Sequence, residues 1–144
     1  MNDIILNKEE KIENLIYEIR GKQVMLDSDL ARLYGCANGT KSINLAVKRH
    51  INRFPERFMF QLTQEEYDNL RFQFETTKNG NMTRTLPYAF TEQGVAMLAT
   101  VLRTSVTEEI SISIMDAFVA MRKYISNDLI EQKYIKNMVL DHDT

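Results

Sequence analysis

Residues 27–57 constrain the fold of this 144-residue chain most, because turn signals cut them into two short helical runs. Asp27-Ser28 reads as an N-cap pair, 29–34 as a short helix and Gly35 as its C-terminal stop. Asn38-Gly39 is a turn dipeptide, Thr40 caps a second helix over 41–53, and Pro55 ends it. Two short helices in this order form a helix-turn-helix-like pair, whose second helix enters the major groove in DNA-binding proteins. The turn at 36–40 is longer than the usual, roughly three to four, residues.

On a wheel at about 100° per residue, Ile43, Val47, His50, Ile51 and Phe54 share one face of the second helix. Lys41, Asn44, Lys48 and Asn52 fall opposite, with Arg49 and Arg53 at the flanks. These are the residue types that read DNA. Lysine and arginine approach guanine acceptors or phosphates, and asparagine pairs bidentately with adenine. Thr40 and Ser42 suit phosphate contacts at the helix N-terminus. Leu45 shares the outer side, where it meets a thymine methyl or a protein surface. The same face also suits a plain solvated helix, so the residues alone leave both readings open. Arg57, Arg20 and Lys22 extend the positive surface, unless Arg57 simply pairs with Glu56 or a neighbour, and Arg20-Gly21-Lys22 is either a wing-like backbone contact or a simple exposed turn.

Net charge is −2, which hides an uneven distribution. Residues 41–57 carry Lys41, Lys48, Arg49, Arg53 and Arg57 against Glu56, a local +4, whereas 104–144 carry seven acids against four bases, a local −3. A basic patch on an acidic chain is a candidate anion site.

Around this segment, Leu15, Tyr17 and Ile19 alternate into a hairpin turning near Gly21, and Phe58, Phe60 and Leu62 into a strand over 57–62. Thr63 to Glu66 is a capping box opening a helix to about residue 74, and 75–83 read as a flexible loop. Leu86, Tyr88 and Phe90 alternate over 84–90, with Pro87 marking an edge or broken strand. Thr91 caps a helix over 92–103, and Thr107 or Ser105 caps one reaching about 125. Ile110, Ile114, Phe118, Met121 and Ile125 make the buried stripe of that last helix. Ile112, Met115 and Val119 form a second apolar strip, a candidate homodimer surface on helix 107–125. Residues 127–144 are a helical tail or linker, with a weaker helical pattern over 127–140. His50 is expected at the edge of the core and Cys36 as a small buried residue. The class is α+β: a helix-dominated single domain with a short hairpin, a small antiparallel sheet and the helix-turn-helix-like pair.

Several chemistries find no support. No run approaches the ~20 apolar residues that cross a bilayer. The acidic N-terminus does not read as a signal peptide, and the single Cys36 suits a reducing, cytoplasmic setting. His50 and His142 lack zinc-ligand spacing, and Gly21, Gly35, Gly39, Gly80 and Gly94 form no phosphate loop. The acid pairs Asp27/Asp29, Glu65/Glu66 and Glu108/Glu109 stand at helix starts, where they favour the dipole. The expectation is no enzyme, no catalytic residue, no metal and no cofactor.

Three strings carry a family resemblance: IRGKQVMLDSDLARLYG at 19–35, AVKRHINRFPERFMFQLT at 46–63 and LPYAFTEQGVAML at 86–98. In this order they resemble the phage-associated ORF-six-N DNA-binding domain, grouped with the KilA-N and Bro-N domains of phages and large DNA viruses. The resemblance is strongest over 14–103 and implies a domain over 1–126. It implies a DNA-binding module of phage or prophage proteins, in a bacterial host cell, often a transcriptional regulator or antirepressor. Its motif takes in Lys41, Asn44, Lys48, Arg49 and Arg53. The turn at 36–39 is about two residues longer than is common in the family, and Leu45 stands where a polar residue is common. The long C-terminal region of many relatives is absent, which fits a stand-alone module or a truncated product. The expected partner is double-stranded DNA. The alternative is a protein-interaction module, such as an antirepressor that binds a repressor.

Overall fold

The β-hairpin is set by its two-residue turn. Arg20 and Gly21 both take positive φ, 58° and 74°, the pairing of a type I′ turn whose twist matches that of the flanking strands. This computed structural model describes residues 11–74 and 85–142. The loop expected over 75–83 lies outside the described residues, as does most of the polar lead-in.

Strands β1 (Tyr17–Ile19), β2 (Lys22–Leu26), β3 (Met59–Gln61) and β4 (Tyr88–Thr91) form one antiparallel sheet in the order β1-β2-β4-β3. Helices α1 (Asp27–Leu33), α2 (Thr40–Arg49), α3 (Gln64–Phe74), α4 (Glu92–Leu102) and α5 (Ser105–His142) complete an α+β domain. The pleat sends Met25 and Phe90 to one face, where they join Leu30, Leu33, Ile43, Val47, Phe54, Val95, Leu98, Ile114 and Phe118. Val24, Leu26, Phe60 and Ala89 face the other side, under Tyr67 and Leu70 of α3. Both faces of β2 and β4 are therefore covered. That is why Val24-Met25-Leu26 and Ala89-Phe90 are unbroken apolar runs.

Several expected boundaries move. β3 is shorter than 57–62, because the amides of Phe58 and Met59 bond back to Pro55 O at 2.8 and 3.1 Å in a turn. β4 is an inner strand, not an edge, since Pro87 precedes the first ladder residue and removes no ladder donor. α1 starts at Asp27 directly from β2, and Leu26 stands at the N-cap without a side-chain bond. Asp27 does not cap it. Its carboxylate is buried and accepts the amide of Tyr88 at 3.2 Å. Gly35 ends α1 as expected. Gly35 N–H donates to Arg32 O at 3.1 Å and Cys36 N–H to Ala31 O at 2.9 Å, the two bonds of a Schellman motif.

Gly39, not Thr40, is the N-cap of α2, and it makes no side-chain bond. The helix ends at Arg49, short of residue 53, where His50 turns to φ −131°, ψ 39° and its Nδ1 approaches Ala46 O at 3.1 Å. A 3-10 turn, Ile51–Arg53, follows. Ile51 is thereby rotated out of the apolar face and is 54% exposed.

Thr91 caps α4 as expected, accepting from Gly94 N–H at 3.2 Å. Thr104, and neither Thr107 nor Ser105, opens α5. The amide of Thr107 donates to Thr104 Oγ1 and that of Thr104 to Thr107 Oγ1, each at 3.0 Å. α5 runs on without a break near 125, so the pattern over 127–140 is a continuation of the same helix. Its buried positions are Thr107, Ser111, Ile114, Ala117 and Phe118. Ile110 and Met121 are half-buried, and Ile125 of the expected stripe is exposed. No described helix is long and apolar enough to cross a membrane.

Candidate nucleic-acid interface

α2 is fixed from beneath by Ile43 and Val47, 0% and 5% exposed, which seat it against α1 and α4. What remains outside is a cationic surface. Lys41, Lys48 and Arg49 on α2, and Asn52 and Arg53 on the 3-10 turn, are exposed, with Leu45 and Ile51 among them. Among the described residues Lys41, Lys48, Arg49 and Arg53 form no ion pair. Glu56, the single acid of the segment, is drawn away to Arg20, 3.7 Å distant. The local +4 is thus presented to solvent by α2 and its following turn. Lys48 and Arg49 also lie in the last turn of α2, where they favour the helix dipole.

The predicted polar face does not stay together. Lys41 and Lys48 point outward, but Asn44 is half-buried and bonds the carboxylate of Asp27. Asn52 sits beyond the end of α2, so the helical wheel no longer places it. Thr40 is half-buried. Ser42 is half-buried beside Cys36, whose thiol is pushed up by burial while the Ser42 hydrogen bond opposes that shift. Burial likewise pushes the Asp27 carboxyl up, against the amides of Tyr88 and Ser28 and the Asn44 side chain.

Arg20 is engaged within the protein. Its Nε donates to Glu66 Oε2 at 2.8 Å, its Nη2 to Glu66 Oε1 at 3.1 Å and to Gln61 O at 3.3 Å, and its guanidinium lies 4.1 Å from the Phe60 ring centroid. The hairpin tip therefore carries little free charge at Arg20. Lys22 and Arg57 are exposed, Arg57 lying 5.3 Å from the Phe58 ring. Both line a groove with Arg122 and Lys123 of α5, and Arg122 pairs there with Glu92 of α4. This second basic group escapes sequence reasoning. Lys22 and Lys123 are a hundred residues apart, and no local signal joins them.

The comparisons with known proteins agree with the three strings. The family model of the ORF6N domain matches residues 14–101, from the first 3-10 turn through the sheet and α1 to α3 to Val101 of α4. No curated protein and no solved structure matches the chain.

Proposed function

The chain belongs to the ORF6N domain family, a phage-associated family, and from that premise we propose that it binds double-stranded DNA sequence-specifically, as a transcriptional regulator or antirepressor in a bacterial cell. One observation carries the reading: the second helix of the α1–α2 pair presents Lys41, Lys48 and Arg49, with Arg53 beyond it, exposed and without acidic partners among the described residues. Lys41 and Lys48 reach base edges, and Arg49, Arg53, Arg57 and Lys22 take phosphates. Thr40 and Ser42 contribute at the helix start. Asn44 reads a base only by leaving Asp27, which places it second to the lysines. We further propose a homodimer formed through the outer strip of α5.

Fluorescence anisotropy of labelled duplexes across ~50–300 mM salt tests this, since each neutralised phosphate steepens the log–log salt slope by about 0.9. Four to five contacts give a slope of about −4 for each copy that engages the duplex. Lys48→Ala/Arg49→Ala weakens binding through both losses and flattens the slope by about one, for the Arg49 phosphate. A folded protein that binds no duplex at the lowest salt overturns the reading. Leu45 and Ile51, 45% and 54% exposed within the basic surface, favour a second reading, a repressor or other protein as the partner. In that case Leu45→Asp abolishes partner binding and the duplexes stay free.

A further inference from the structure

A cleft separate from the exposed cations opens between the start of α1, α2, α3 and the segment leading into β4. Its volume is about 350 Å³, at the lower end of small-molecule sites, so it suits a molecule of one or two rings. Tyr17 and Tyr67 supply aromatic surface, and Asp27, Asn44 and Arg71 supply polar groups. We infer that this cleft binds a single oxo-bearing nucleobase, of the guanine, thymine or uracil type.

Three observations lead there. The first is Arg71. Its guanidinium lies 5.6 Å from the centroid of the Tyr67 ring, and its Nε is buried with no hydrogen-bond acceptor. Buried charged donors are normally paired, so this one calls for an acceptor brought by a ligand. The second is Asp27. It lines the same cleft yet forms no ion pair with Arg71, and its Oδ2 accepts the amide of Tyr88. A buried carboxylate beside the cleft disfavours an anionic head group there and favours N–H donors. The third is shape. Tyr67 and the Arg71 guanidinium beside it are two flat groups lining the cleft, and a planar ring stacks on either kind of surface.

A neutral planar ring with a carbonyl and an adjacent N–H meets all three demands. The carbonyl accepts from Arg71, the N–H donates to Asp27 in place of the Asn44 side chain, and the ring stacks against Tyr67. Adenine lacks the carbonyl and fits less well. Such a ring has two sources, a free nucleotide or an unpaired base in a strand, and the cleft chemistry is common to both.

The test uses the full chain. Guanosine, thymidine and adenosine monophosphates are titrated by calorimetry or saturation-transfer NMR, beside short single-stranded oligo-dT and oligo-dA. Guanosine or thymidine monophosphate binding about tenfold tighter than the adenosine nucleotide supports the proposal with a free nucleotide as source. Oligo-dT binding over oligo-dA, with free nucleotides silent, supports it with an unpaired base as source. Arg71→Met and Tyr67→Ala each weaken binding by about tenfold or more, as lost stacking would. Arg71→Met is the variant that decides should Tyr67→Ala fail to fold. Absence of binding to every nucleotide and strand, no preference against adenine, or binding undiminished in Arg71→Met overturns the inference. Lys48→Ala/Arg49→Ala keeps nucleotide binding, so failure of the duplex reading and failure of this one are told apart.

Discussion

Arg20 holds φ 58°, a left-handed backbone that costs a non-glycine residue about 1–2 kcal/mol. Its guanidinium helps to offset that strain. Glu66 and Gln61 O take its N–H groups, and Phe60 packs against its plane. The effect on Glu66 is large. The Arg20 hydrogen bond, aided by the Thr63 amide and against some desolvation, holds the Glu66 carboxyl at about 2 instead of 4.5. A carboxyl lowered on folding adds stability that is present above its ordinary pKa and lost as pH falls through the folded value. The window here is therefore pH 4.5 down to about 2. The pair is partly solvated, with the Arg20 side chain 34% exposed, so its worth is about 0.5–1 kcal/mol. Glu66→Gln keeps the Thr63 capping box, which accepts Glu or Gln, but drops the charge. Urea unfolding at pH 6 and pH 3 checks this: the gap between parent and variant narrows at the lower pH. A constant gap rejects the account. The capping box was legible because both partners lie three residues apart. The Arg20 partner lies 46 residues away, so a cation that is internally engaged looked, in one dimension, like a free wing contact.

α4 poses the opposite question, whether a local propensity or a packing contact decides the sign of a mutation. Gly94 lies in an Ala/Val/Leu-rich helix, where glycine costs about 1 kcal/mol relative to alanine. Propensity alone says that Gly94→Ala stabilises. But a Cβ at Gly94 would overlap the backbone carbonyl of Phe58. That carbonyl also accepts the amide of Thr91 at 3.0 Å and so cannot retreat freely. Overpacking of this kind costs typically ~1–3 kcal/mol, and a backbone clash sits at the upper end or beyond. Gly94→Ala is expected to lower stability by about 2–3 kcal/mol net, read as a lower denaturant midpoint at unchanged m. Equal or higher stability would show that the two segments can part at little cost. Elements of this chain were legible where the signal is local: the hairpin glycine, the Gly35 stop, the Thr91 cap. Their ends were not. α2 stops at Arg49 because His50 turns the chain, and the wheel drawn through residue 53 therefore misplaced Ile51 and Asn52. Strand β4 became central through pairing on both sides, which Pro87 by itself cannot reveal.

For the molecule as a whole, α5 is the element that its own domain does not finish covering. A helix of 38 residues is about 57 Å long at 1.5 Å per residue. Its inner positions bury Ile114, Ala117 and Phe118, while Ile112 is 64% and Val119 37% exposed, and every described side chain from Arg122 to Asn127 is exposed. A long helix held by packing along only part of its length is marginal in water, and an apolar strip on its outer side gains most from a second copy of itself. A two-fold dimer would present two α2 surfaces, the arrangement by which helix-turn-helix proteins engage paired half-sites. It would also double the phosphate contacts and the salt slope, which would let an acidic chain of net charge −2 hold DNA through a local patch. The outer strip was legible as periodicity, but which of it is exposed was not: Ile112 and Val119 face out while Met115, the third expected member, is half-buried against the core. Light scattering on the purified chain should give about twice 16.8 kDa. Ile112→Glu/Val119→Glu should return it to the monomer with the fold intact by circular dichroism, because neither residue is in the core. In that variant the salt slope on a palindromic duplex should fall towards half. A parent that is monomeric at tens of micromolar on bare protein and on duplex alike removes the dimer and leaves α2 to act alone.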